Sequence, residues 1–285
     1  MLTIEEVILE QCRRLPPLPQ SVSQLMTLFQ RDHTIDEVVK VVQVDAAVTA
    51  NLLKVVNSAA MGLNHQIGSP AQAVTYLGDK MVMGIAIAGS SGPIFEGSLE
   101  GYGGDAGALW AHDLYTAIMA REIANRESVA VNPEIAFTAG IMHDIGKAVV
   151  SQYLKTLSPR PELEVSDKEH PDFVAVEREK IGTDHCHVGS VLASKWRLPV
   201  PLREAIQYHH SPMEASEEHR RLAFVVHVAD RIAMLAGQST DADRLQYPLD
   251  AAFTEQLGIT QDEFEPLMSR VEREFARVVG GMFAK

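Results

Sequence analysis

Nine of the eleven histidines in this chain follow Gly92, and five places in that second half set His or Asp in helix-patterned sequence. They are His112 in "LWAHDLYTAIMA", the pair His143-Asp144 in "IMHDIGKAVV", His185 in "TDHCHVGSVLASKW", His209-His210 in "AIQYHH", and Asp230 in "VVHVADRIAM". A hard or borderline divalent cation takes imidazole nitrogens and carboxylate oxygens, and an aspartate between two ions can bridge them. Two neighbouring ions can activate a water and hold the phosphoryl oxygens through an in-line displacement. Metal-dependent cleavage of a phosphate ester is therefore the chemistry these residue types suit.

Spacing limits which of them can act together. Adjacent residues on a helix diverge by more than a quarter of a turn, so His143 and Asp144 can touch one ion only near a helix terminus. His185 and His187 face opposite sides of a helix, so at most one is a ligand. Lys147 lies one turn beyond His143 if a helix runs through Gly146, and its ammonium would then face a phosphate at the metal; the plain alternative is a surface lysine. His227 shares a face with Asp230 and reads as a packed core histidine, or at most as a support behind a ligand. His33, His65, His170 and His219 read as surface or turn residues, and Trp110 and Trp196 as core aromatics. The dipeptide His-Asp means little by itself: chance supplies about half such a pair here, and His112-Asp113 is a second one. Each candidate alone is more readily a hydrogen-bonded buried group than a ligand.

The elements that must position these residues are helices, because few stretches alternate as strands do. Thr34-Ile35-Asp36-Glu37 is a capping-box pattern, and Asp45 opens "AAVTANLLKVVNSA" with Val48, Leu52, Val55 and Val56 at helical spacing. Ser69-Pro70 reads as an N-cap followed by proline at the first helical position, leading into "AQAVTYLG". Thr260 to Glu263 is another capping box before a closing helix rich in Glu and Arg. The expected fold class is all-α, a helical bundle with an N-terminal helical subdomain. Its expected division is an N-terminal subdomain over 1–92, a glycine-rich loop over 93–106, and a helical subdomain with the site over 107–285. A second loop is expected in "SPRPELEVSDKEHPD", residues 158–172.

Composition excludes several function classes. The chain has 285 residues, 46% hydrophobic and 22% charged, as in an ordinary globular protein. Its net charge of −13, with no Lys/Arg-rich stripe, argues against direct nucleic-acid binding. Cys12 and Cys186, far apart and in no metal-ligand spacing, fit a reduced cytosolic protein. The N-terminus lacks a signal-peptide layout, and the apolar run from Met81 is too short to span a bilayer, so a soluble cytoplasmic protein is expected.

The order H…HD…H…HH…D on helices resembles the HD superfamily of metal-dependent phosphohydrolases. More closely, the chain resembles the HDOD domain (HD-related output domain) of bacterial signalling proteins. Leu15 to Gly78 carries that likeness best, through its "LPPLP" opening, the Asn57-Ser58-Ala59 turn and the Ala73…Leu77-Gly78 ending. "HDIGK", "HVGSVLASKWRLP" and "AIQYHH" extend it, so that roughly residues 12 to 235 are covered. The resemblance implies the HD fold, and it implies that His112, His143, Asp144, His185, His209, His210 and Asp230 fill every ligand position of the superfamily. Many members of the family have lost ligands and act as signalling output or protein-interaction modules. Two departures separate this chain from the related HD-GYP cyclic-di-GMP phosphodiesterases. His210 is followed by "SPMEAS" rather than an acidic residue and Gly-Tyr-Pro, and Ala108 stands where a glutamate would serve a third ion. Asp45-Ala46 replaces the family's common Asp-Pro without evident consequence for chemistry.

Two functions follow as expectations. The favoured one is a signalling module that binds a partner protein or a nucleotide signal, using the N-terminal helices and the glycine-rich loop. The alternative is a metal-dependent phosphohydrolase in which the seven residues hold one or two ions, Asp144 bridges them, and Lys147 steadies the phosphate. With only nitrogen and oxygen donors in that set, Fe, Mn, Ni or Zn is expected. A third possibility is a hydrogen-bonded histidine cluster holding no metal.

Overall fold

The computed structural model describes residues 3–15, 19–29, 31–57, 63, 66–90, 99–157, 172–240 and 247–283. His65, His170, residues 93–98 of the glycine-rich loop and residues 158–171 of the second loop lie outside them. The described residues form helices and short 3-10 turns with no strand, beyond one isolated bridge between Leu99 and Gly104. None of their helices is long and apolar enough to cross a membrane.

The chain divides into two compact units, one of residues 1–17 and 93–268, the other of 18–92 and 269–285. In the smaller unit, α2 (Gln20–Leu28), α3 (Ile35–Val42), α4 (Ala46–Val56) and α5 (Pro70–Ser90) pack on one another, α5 touching the other three. Thr34 and Glu37 make a reciprocal capping box, and Asp45 accepts from the amides of Ala47 and Val48. Those caps satisfy amides a helix start leaves without partners. Val48, Leu52, Val55 and Val56 form the buried stripe of α4. Gly78 breaks α5 with φ 73° and ψ 157°, backbone that favours glycine.

The larger unit holds every histidine and aspartate of the constellation. Helix α1 (Ile4–Arg14) belongs to it rather than to the helices that follow it in sequence, so this division departs from one made by chain order. Ile8 and Cys12 of α1 are fully buried, and Lys195 donates to the Cys12 and Arg13 carbonyls at 3.2 and 2.5 Å. A cation at the end of a helix meets the carbonyls left without partners there. Around the site run α6 (Ala108–Ala124), α7 (Pro133–Met142), α8 (Ile145–Leu157), α9 (Phe173–Ile181), α10 (His185–Lys195), α11 (Val200–Tyr208) and α12 (Arg220–Leu235). Then come α13 (Phe253–Leu257) and, after the Thr260–Glu263 capping box, α14 (Phe264–Phe283), whose length is shared between the two units. Helix α6 packs against α7 and α12, and α10 against α8 and α11.

Glycines set two of those crossings. A Cβ on Gly140 of α7 would stand 2.7 Å from the Ala117 Cα of α6, and one on Gly146 of α8 only 1.9 Å from the His185 carbonyl of α10. No side chain fits either position, so α6 meets α7, and α8 meets α10, backbone to backbone. Trp110 and Trp196 are buried, as expected of core aromatics.

Candidate metal centre

Each functional side chain sits at a helix end or on an inward helix face. Asn132 caps α7 by accepting from the amides of Glu134 and Ile135, with Pro133 at the first position. That helix ends at Met142, His143 is its C-cap, and α8 begins at Ile145. His143-Asp144 therefore occupies the corner between two helices, the one setting in which adjacent side chains can converge. Asp184 caps α10 through the His187 amide, which makes His185 the first residue of that helix. His209 is the C-cap of α11, while His112 and Asp230 lie on the buried faces of α6 and α12.

The two carboxylate oxygens of Asp144 face two different nests. Oδ2 lies 3.4 Å from His112 Nε2 and 3.5 Å from His143 Nε2. Asp230 Oδ1 completes that nest, 3.1 Å from His112 Nε2 and 3.7 Å from His143 Nε2. Oδ1 lies 3.4 Å from His185 Nε2 and 3.5 Å from His209 Nε2. His210 stands at the edge, its Nδ1 4.0 Å from Asp230 Oδ2 and its ring stacked on Tyr247 at 3.8 Å. All seven residues singled out in the sequence are thus brought into one buried cluster.

Hydrogen bonds assign the roles of the ring nitrogens. His112, His143 and His209 each donate from Nδ1 to a backbone carbonyl, those of Gln238, Gly140 and Ile206, at 2.9, 2.8 and 2.8 Å. His185 Nδ1 lies against the Glu177 carboxylate at 2.8 and 2.9 Å. A carbonyl or carboxylate only accepts, so every Nδ1 carries its proton and every Nε2 is turned on Asp144. At 3.1–3.7 Å, these N···O separations match the edges of a polyhedron with bonds of about 2.1 Å. Asp144 Oδ1 and Asp230 Oδ1 receive no hydrogen bond of good geometry, although imidazole nitrogens surround both. Donors, distances and these orphaned oxygens fit a divalent cation in each nest, so the buried His/Asp groups can hold metal.

Electrostatics point the same way. Burial alone would raise the Asp144 carboxyl, but the Lys147 ammonium and the imidazoles of His143, His209 and His185 hold it well below the usual range. Burial would likewise raise Asp230, which His112 and His143 hold well below its ordinary value. Burial pulls His112 down, yet Asp230 and Asp144 outweigh it and bring it to about 9. His209 is pushed down to about 4, by burial first, with His143 and His185 adding to it against Asp144. Two buried carboxylates kept ionised demand compensating positive charge, which protons or metal ions can supply.

Lys147 is fully buried, its Nζ 2.6 Å from Asp144 Oδ2 and 5.6 and 5.3 Å from the Tyr102 and Tyr247 rings. His227 stands behind the cluster, donating from Nδ1 to the His209 carbonyl at 2.7 Å and accepting the Asp250 amide at 2.9 Å. His187 is exposed on the other side of α10, and His219 precedes α12 as its N-cap.

Sequence reasoning did not single out three buried neighbours. Glu177 of α9 fixes His185 by accepting both its amide and its Nδ1–H, and accepts the Tyr102 hydroxyl as well. Asp113 lies 3.5 Å from His143 Nδ1, and burial pushes its carboxyl up to about 8 despite that imidazole. The Cys186 sulfur lies 3.4 Å from His185 Nε2. Two of these had a local signal: Cys186 stands between two histidines, and Asp113 belongs to the second His-Asp pair.

Comparison with known proteins places the chain in a family. The family model for the HDOD domain matches residues 15–212. An uncharacterised protein of Treponema pallidum (strain Nichols) is 24% identical over 228 residues, 79% of this chain and 43% of its own length. The chain thus spans less than half of that curated relative. Among solved structures, an HDOD domain protein of unknown function from Geobacter sulfurreducens superposes with a TM-score of 0.70 at 23% identity, covering 98% of each chain. A candidate phosphohydrolase of Shewanella amazonensis SB2B gives 0.70 at 23% identity, covering 96% of this chain and 97% of its own. A candidate signal transduction protein of Marinobacter aquaeolei VT8 gives 0.76 at 20% identity, covering 99% of this chain and 62% of its own. At these identities the structural likenesses establish the fold alone.

Proposed function

The chain belongs to the HDOD domain family, and on that premise we propose that it is a regulatory module of signal transduction built around a buried metal centre. Its ligand or partner is a nucleotide signal or a signalling protein. The observation that carries this reading is the closure of the cluster around its own charges. Asp144, Lys147, His185 and His209 are fully buried, and the Lys147 ammonium is engaged by Asp144. A cation turned on a protein carboxylate contributes to folding and charge balance rather than to holding a substrate phosphate.

His112, His143, Asp230 and Asp144 Oδ2 would hold one divalent ion, and His185, His209, His210 and Asp144 Oδ1 a second. Fe, Mn, Ni or Zn suits such donors. Bound there, the ions would supply Lewis acidity and activation of a water. The protein's own part is to present each Nε2 through a fixed Nδ1–H and to keep Asp144 ionised between the nests.

One observation favours a second reading, phosphohydrolase activity on a nucleotide or other phosphate ester. Asp144 spans both nests, as a bridging carboxylate in a two-ion hydrolase would. One assay separates the two. Manganese- or iron-loaded protein is titrated with nucleotides by calorimetry and incubated with bis(p-nitrophenyl) phosphate. The regulatory reading expects nucleotide or partner binding that changes on chelation, with ester turnover at background. Brisk hydrolysis that disappears in Asp144→Asn would replace it with the hydrolase.

A further inference from the structure

We propose that Cys186 is a thiolate ligand of the second nest, making that half of the centre a mixed sulfur, nitrogen and oxygen site for a borderline-soft divalent ion such as zinc. The inference rests on the metal reading above and narrows one half of it.

A buried cysteine is by default a small apolar filler. Cys186 is buried, but its sulfur lies among imidazoles: 3.4 Å from His185 Nε2 and 4.0 Å from both ring nitrogens of His209. An independent feature points into the same space. The His210 side chain is only 8% exposed, and neither of its ring nitrogens has a hydrogen-bond partner. One ligand atom from each of His185, Cys186, His209 and His210 lies within 4.8 Å of the other three. With bonds of about 2.3 Å to sulfur and 2.0–2.1 Å to nitrogen, neighbouring ligands of a five-coordinate ion stand roughly 3.1–3.8 Å apart, a range that holds the 3.4 Å Cys186–His185 separation.

The geometry also explains how one cysteine joins without a second. His185 and Cys186 open α10, where the first residues of a helix present side chains toward its N-terminal end. Binding breaks the S–H bond. The proton passes to solvent, and the electron pair left on sulfur forms the bond to the metal, with no oxidant or reductant required. The two nests then differ in kind. His112, His143 and Asp230 offer only nitrogen and oxygen to the first ion, whereas the second meets a soft donor that favours zinc over manganese.

Cobalt(II) is the probe. Metal-free protein is titrated with cobalt and followed in the visible and near-ultraviolet. The expected result is visible ligand-field bands together with a thiolate-to-cobalt charge-transfer band, the latter absent in Cys186→Ser. Zinc affinity of the second nest should fall in that variant by at least the roughly 10–100-fold that losing even an outer-shell partner costs. Ligand-field bands without charge transfer in the wild type would overturn the Cys186 assignment and leave the metal reading standing. A charge-transfer band that survives in Cys186→Ser would assign the thiolate to Cys12 and equally overturn it. No cobalt bound at all would overturn both. If the buried serine prevents folding, Cys12→Ala decides the matter: the charge-transfer band should persist there, and its loss would overturn the Cys186 assignment.

Discussion

Replacing Gly146 by alanine tests whether helix contact sets the metal geometry. The added Cβ would stand 1.9 Å from the His185 carbonyl oxygen and 2.8 Å from the Gly189 nitrogen, both backbone atoms that cannot swing aside. A close C–H···O contact needs about 3.3 Å, so α8 and α10 must part by about 1.4 Å. His185 Nε2, now 3.4 Å from Asp144 Oδ1, would move out toward about 5 Å, beyond the edge of a polyhedron with bonds of about 2.1 Å. Two effects on stability oppose each other. Alanine gains about 1 kcal/mol of helix propensity over glycine. Overpacking costs about 1–3 kcal/mol, and a backbone clash belongs at or beyond the top of that range. The clash wins by about 2 kcal/mol, which lowers Tm by about 4–8 °C in a domain of this size. Calorimetric melting of chelated protein reads that loss, and metal titration reads the site. The variant should keep the ion held by His112, His143 and Asp230 and lose the one held by His185 and His209. Wild-type Tm with unchanged stoichiometry and affinity for both ions would refute the reasoning.

Three further perturbations reach other parts of the cluster. Lys147→Met leaves Asp144 buried without its ammonium, so the chelated protein should lose about 3–5 kcal/mol in denaturant melts, most of it restored by excess divalent metal. An equal loss with and without metal would contradict the charge argument. Glu177→Gln removes the carboxylate that holds His185 Nδ1, and zinc affinity measured by competition with a chromophoric chelator should weaken about 10–100-fold; unchanged affinity would show that Glu177 does not orient a ligand. Asp113 ionises near 3.8 when unfolded and near 8 in the fold, so the unfolded chain releases its proton first as pH rises. Its contribution to stability is therefore full below about pH 4 and is lost as pH climbs through 8. Asp113→Asn abolishes that loss, and melts of metal-free protein should show its Tm gaining on the wild type from pH 5 to pH 8; a gap that does not change with pH would count against it.

The all-helical class and the helix starts were legible in the sequence because their signals are local, whereas the seven clustered residues were legible only as an ordered set, through the resemblance to the HD superfamily. Thr34 and Glu37 cap α3 through atoms three residues apart, and Asp45 reaches only to Ala47 and Val48. Helix geometry set the condition that His143 and Asp144 can share an ion only near a helix terminus, and the structure supplies that corner between α7 and α8. Tertiary structure decided what those residues meet. His112 takes its tautomer from the Gln238 carbonyl 126 residues away, and His185 takes its own from a carboxylate on another helix. It also drew Cys186 beside His209, turned Lys147 onto Asp144 and joined α1 to the later helices. Caps and periodicity depend on the few residues within one turn, so sequence alone determines them. Which oxygen of Asp144 faces which imidazole depends on how closely helices cross, and at Gly146 that distance was decided by the absence of a side chain.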